Sequence, residues 1–220
     1  RQRQMCIRDS SLPEYDNNHN SCIWGYMWGY DWNSAEKGDN ISKPKTDADF
    51  TPLGLMNYSE VCFLKAEAAL RGWQGAGDAK TNYENGIRAS FEEMRANAPK
   101  DSYSKSNDDK YISEGNVAWN NADSFEAKLE KIITQKWIGI YPNSEEAWAE
   151  FRRTGYPKLN PVKQSLEPTI NPKNGEFIKK LRYVDNELSN NKEYATDPTL
   201  NGGQGDGLSV RVWWDTARYK

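Results

Sequence analysis

The stretch Leu129–Pro157, LEKIITQKWIGIYPNSEEAWAEFRRTGYP, decides the fold. Just upstream, Asp123 and Glu126 stand in capping-box spacing, a side-chain acceptor followed by a Glu that reaches back to it. Phe125, Leu129, Ile132, Ile133, Trp137 and Ile140 then recur at helical intervals and define one strongly apolar stripe. Pro142 breaks that helix, because proline lacks the amide hydrogen and its ring collides with the preceding turn. Asn143 and Glu146 repeat the capping pattern for a shorter helix that turns Trp148 and Phe151 inward, and Gly155-Tyr156-Pro157 closes it. The stretch therefore reads as two capped helices joined by a tight break.

Working towards the N-terminus, Asn57 and Glu60 predict another capped start, for a helix over Tyr58–Arg71 that Gly72 stops. Val61, Leu64 and Ala68, with Cys62, Ala66 and Ala69, give it a broad apolar face of small residues that lets a second helix approach closely. That second helix follows the turn Gln74–Gly77, is capped by Asp78, and carries Tyr83, Ile87, Ser90 or Phe91, and Met94 at helical spacing up to Pro99. The pair has the pattern of a single tetratricopeptide unit. Residues 100–122 read as a polar linker with Trp119 embedded. Beyond Pro157 the chain turns irregular, with short strands expected at Phe177–Tyr183 and Ser209–Trp214 around a turn-rich excursion over Asn190–Gly207.

The N-terminal part differs in kind. Residues 1–10, RQRQMCIRDS, lack any apolar period, signal-peptide core or lipobox, and read as non-native read-through set aside from the fold. Residues 11–56 are rich in Asn, Asp, Ser, Gly and aromatics, and read as an irregular segment with at most one short strand. Within them Trp24, Tyr26, Trp28, Tyr30 and Trp32 alternate with smaller residues, so an extended backbone would project these rings from one face. Interleaved glycines favour a looped arrangement instead.

Composition narrows function. Lys plus Arg number 29 against 32 Asp plus Glu, a net charge of −3, which lacks the basic stripe of a nucleic-acid binder. No apolar run approaches the roughly 20 residues that cross a bilayer. The 3 cysteines have no metal spacing, and the 1 histidine, His19, sits in a polar run, so zinc sites and Ser-His-Asp catalysis lack raw material and no cofactor or metal is expected. The 9 Trp and 12 Tyr, against 6 Phe, supply flat apolar rings with polar handles, which suit stacking on the C–H faces of sugars.

Several segments resemble the SusD/RagB family: Glu130–Pro142, Glu146-Ala147-Trp148 and Arg152–Pro157, the Asn57–Glu67 helix with its AEA-type motif, Tyr83–Ser90, and near the end Leu181-Arg182-Tyr183 and Val212–Asp215. The similarity covers most of residues 57–220 in the family's order, and departs from it at Val184, where the family usually has proline. It implies a mainly α fold with tetratricopeptide-like helix pairs, long irregular aromatic-rich loops and a few short strands. It also implies a surface lipoprotein of the outer membrane of Bacteroidetes-type bacteria, which captures oligosaccharides, or peptides in some branches, for a SusC-like TonB-dependent transporter and breaks no bonds. Family members are about twice as long, so the chain is expected to be a C-terminal portion, with the lipid anchor outside it.

On this reading Trp24, Tyr26, Trp28, Tyr30 and Trp32 are the candidate glycan contacts, the alternative being a strand packed on a core. Arg152 and Arg153 are weighed towards structure, tying the end of their helix to neighbouring carbonyls and carboxylates. Trp137 and Trp148 are expected on inward faces, and Trp213 with Trp214 to seal the domain. A helical glycoside hydrolase, which needs paired carboxylates, and a tetratricopeptide-type protein scaffold are the rival readings.

Overall fold

The computed structural model describes residues 30–31, 43–44, 55–97, 105–141, 143–161, 164–195, 197, 199, 203 and 205–215. By its internal contacts the chain divides into two units, Arg1–Leu55 and Met56–Lys220. In the first, β1 (Tyr30–Asp31) pairs antiparallel with β2 (Lys43–Pro44), Tyr30 opposite Pro44.

The second unit is helical, as the sequence pattern predicts. Its elements are α1 (Tyr58–Leu70), α2 (Ala79–Asn97), α3 (Asp108–Ser113), α4 (Phe125–Gly139), α5 (Ser144–Thr154), α6 (Asp185–Asn190) and α7 (Lys192–Ala195), with single 3-10 turns at Lys105–Asn107 and Pro172–Asn174. No helix among the described residues is long and apolar enough to cross a membrane.

The helix starts show how local chemistry and packing compete. Asp78 caps α2 as expected, its carboxylate accepting from the Thr81 amide at 2.8 Å and the Thr81 hydroxyl at 2.7 Å. Asn143 likewise accepts from the Glu146 amide at 3.2 Å to start α5. At α4 the cap is Ser124, which accepts from the Ala127 amide, rather than Asp123, whose carboxylate takes the Lys131 ammonium at 2.7 Å. At α1 the expected capping box does not form: Asn57 makes no side-chain cap bond, and Glu60 is buried against an ammonium on another helix. In both cases an ion pair, to Lys131 of α4 itself or to Lys136 across the helices, takes a residue that local spacing assigned to a capping box.

The core joins α1 to α4 through Phe63, Ala66, Tyr83, Ile87, Ile112, Leu129, Ile132 and Ile133, with Trp119 packed against it. Burying each of the larger side chains contributes roughly 1.5–3 kcal/mol. Close approach of α1 and α2 depends on Gly86, where a Cβ would come within 2.8 Å of the Phe63 ring. Tyr83 is fully buried, donates its hydroxyl to the Val117 carbonyl at 2.8 Å, and lies 5.3 Å from the Trp119 ring. Burial pushes its phenol well above the ordinary range. The linker expected over residues 100–122 thus contains α3, held to α2 by Arg95 and Asp108 through paired bonds of 3.0 and 2.7 Å.

Other expectations change. Among the described residues no strand forms at Phe177–Tyr183 or Ser209–Trp214; the two stretches meet through the Leu208 carbonyl, which accepts from the Lys179 amide at 2.8 Å and the Lys180 amide at 3.3 Å. The excursion after Asn190 holds the short α7, and α6 precedes it. Phe125, read as part of the apolar stripe, is exposed at the start of α4 and lies under the Arg71 guanidinium at 5.6 Å. Leu64 is likewise exposed, so the buried face of α1 runs through Cys62, Phe63 and Ala66.

Candidate functional site

The family-like motifs converge on one place, an alternating ion network between α1, α4 and α5. Lys136 is 1% exposed, and its ammonium lies 2.8 Å from Glu146, 3.2 Å from Glu150 and 3.4 Å from Glu60. Glu150 also accepts from Arg153 at 2.6 Å, and Arg153 grips Glu67 with two bonds of 2.8 and 2.7 Å. Arg71 closes the end of the row, its guanidinium 2.8 Å from Glu67. The bidentate Arg153–Glu67 contact joins residues 86 positions apart and fixes both planes, which a lysine could not do.

The electrostatics follow from burial and partners in opposition. Burial alone would raise the Glu67 carboxyl, but hydrogen bonds and charge from Arg153, then Arg71, outweigh it and hold the group below the carboxylate range. Burial alone would lower the Lys136 ammonium, but Glu150 and Glu146 outweigh that and hold it charged above its ordinary value. Arg153 is raised against its own burial by Glu67 and Glu150. Glu67, Lys136 and Arg153 are thus kept ionised by their neighbours. Glu93, on α2, is different: burial lifts its carboxyl above the usual range, partly offset by a hydrogen bond from Asn57.

The residues singled out in the sequence fall as follows. Trp24, Tyr26, Trp28 and Trp32 lie outside the described residues, and Tyr30 is described only as backbone in β1. Trp148 donates its indole N–H to the Ile178 carbonyl at 2.8 Å, and Arg152 donates to the Lys179 carbonyl at 2.9 Å. The Arg152 guanidinium lies over both Trp148, at 3.7 Å, and Trp214, at 4.8 Å. Trp137 is half-buried on α4. Trp213 corrects the expectation of a sealing pair: it is 95% exposed, because its neighbour Trp214 turns in to Arg152.

Sequence reading passed over Glu60, Glu67, Lys136 and Glu150 as a network, though a signal was there. Lys136 falls seven residues after Leu129, on the face of Ile132 and Ile133, and Glu60 and Glu67 share a face of α1 near Phe63. Charges at such positions are either buried and paired or misread.

Comparison with known proteins agrees with this geometry. The family model described as SusD-like, Susd and RagB outer membrane lipoprotein, matches residues 12–215. Among solved structures, a SusD-like protein from Bacteroides thetaiotaomicron is 32% identical, with a TM-score of 0.60 over 80% of this chain and 40% of that one. A chitin-binding SusD homolog from Flavobacterium johnsoniae is 35% identical, with a TM-score of 0.57 over 78% of this chain and 40% of that one. A SusD homolog from Bacteroides uniformis is 34% identical, with a TM-score of 0.56 over 80% of this chain and 39% of that one. The chain thus spans about 40% of the length of these solved relatives. Comparison with curated proteins gave no match. With a family model running from residue 12 to residue 215 across the helices that carry the network, the chain belongs to the SusD/RagB family of outer-membrane lipoproteins.

Proposed function

We propose that the protein binds oligosaccharides at the cell surface without altering them and passes them to a SusC-like TonB-dependent transporter, held at the outer membrane by a lipid anchor. The observation that carries this reading is the 35% identity to a chitin-binding SusD homolog over 78% of the chain. It fits the place of the signature carboxylates Glu60, Glu67, Glu146 and Glu150, which pair with Lys136 and Arg153 within the helical scaffold. In this proposal the ligand contacts are Trp24, Tyr26, Trp28, Tyr30 and Trp32, whose rings would stack on pyranose faces. A few stacked rings at about 1 kcal/mol each, with hydrogen bonds to hydroxyls, give dissociation constants near the millimolar range, about −4 kcal/mol. Weak capture suits a protein that must release its cargo.

The test is a titration with chito-oligosaccharides and a panel of other glycans, read by tryptophan fluorescence and calorimetry. A saturable change that is lost in a Trp24→Ala, Trp28→Ala, Trp32→Ala variant supports the proposal. Steady product release would replace it with hydrolysis, and silence across the panel with binding of peptides would replace the ligand class.

A further inference from the structure

Helix α5 has two working faces. One is ionic and meets α1 and α4 through Glu150 and Arg153. The other carries Trp148, Phe151 and Arg152, and meets the irregular chain that follows Pro157. There Phe177 packs edge-on to Phe151 at 5.0 Å, the Ile178 carbonyl accepts from Trp148, and the Lys179 carbonyl accepts from Arg152. Trp214, far along the chain, lies under the same guanidinium at 4.8 Å. One side chain thus fastens two distant pieces of the irregular segment.

That segment is cross-linked to itself. The Leu208 amide donates to the Thr169 hydroxyl at 3.1 Å and Ser209 donates to the Thr169 carbonyl at 2.9 Å. Asp206 pairs with Lys180 and accepts from the Tyr183 amide at 2.9 Å. Asp215 is buried and accepts from Arg211 at 2.6 Å. Yet among its described residues only Ile170 and Val210 are buried hydrophobics, against the larger set shared by α1 to α4. Local opening free energy follows buried apolar contact, so a piece with internal bonds and little apolar burial opens before the helices do. A guanidinium lying over two indoles, partly withdrawn from water, is then a large share of what holds it.

We propose that residues 165–183 and 205–215 form a strap that opens from the helices as one unit, and that the Trp148–Arg152–Trp214 cluster is its clasp. Opening uncovers Trp148 and Phe151 and leaves the ion network and the core in place.

Hydrogen exchange with mass spectrometry on the full chain tests this, comparing the wild type with Trp214→Ala and Arg152→Met. Trp214→Ala removes one ring of the cluster without touching α5, so it keeps the test open even where Arg152→Met disturbs the helix. The expected result in both is exchange faster by about tenfold or more at peptides holding Lys179, Tyr183, Leu208 and Asp215, with Leu129–Gly139 unchanged. Unchanged exchange in the strap would overturn the proposal, as would an equal rise in α4, which would make strap and helices one cooperative unit.

Discussion

Replacing Lys136 with methionine removes a buried charge and keeps most of the side chain's volume, so the effect isolates the ion network from cavity formation. At an effective dielectric of about 20, each contact near 3 Å carries roughly 5–6 kcal/mol of gross attraction. The contacts here are 2.8, 3.2 and 3.4 Å. Most of that gross attraction offsets the desolvation of the ammonium and the repulsion among its carboxylates, so it is not the net worth. The variant leaves Glu60, 6% exposed, without its cation, whereas Glu150 keeps Arg153 and Glu146 is partly in water. Breaking one side of a buried pair costs about 3–5 kcal/mol, a large part of a domain's stability of about 5–15 kcal/mol. Urea unfolding followed by far-UV circular dichroism measures it, with Glu60→Gln completing a double-mutant cycle. The pH dependence carries a sign. Because Lys136 is raised in the fold, its contribution is fully present below the unfolded value of about 10.4 and is lost as pH climbs through the folded value. Wild type should therefore lose stability in alkali that the methionine variant never had. A cost under about 1 kcal/mol, or strict additivity with Glu60→Gln, would refute the reasoning.

Two other perturbations probe packing and burial. Gly86→Ala should destabilise by about 1–2 kcal/mol although alanine is the better helix former, because its Cβ would meet buried Phe63 at 2.8–2.9 Å; a higher melting temperature would show that the ring moves freely. Glu93→Gln should stabilise at neutral pH, since burial raises the Glu93 carboxyl and the fold therefore resists its ionisation. The gain should vanish as pH falls below about 4, where the wild-type group is protonated in both states, and a gain independent of pH would point to some other cause.

Helices were legible where periodicity and punctuation agreed. Leu129, Ile132 and Ile133 marked α4, Gly155 ends α5 in the left-handed conformation at φ 78°, and Asp78 and Asn143 are caps as their spacing said. Periodicity failed on short or irregular chain. Helix α3 covers Asp108–Ser113, too short for a stripe to show, and the alternation at Ser209–Trp214 had no partner strand to pair with. The glycan contacts proposed at Trp24–Trp32 were read from ring chemistry alone, and the backbone described there is the Tyr30–Asp31 ladder.

The stretch Leu129–Pro157 by itself marked the family, two helices, the break between them and both ends of α5, because apolar period, caps and breakers act over a few residues. It did not determine what its charges do. Lys136 meets Glu60, and Arg153 meets Glu67, only when α1 lies against α4 and α5, across separations such as the 86 positions between Glu67 and Arg153. Charge pairing depends on distance and burial, which only the packed helices supply. The same holds for Trp213 and Trp214, adjacent and alike in sequence, one left in water and the other drawn onto a guanidinium.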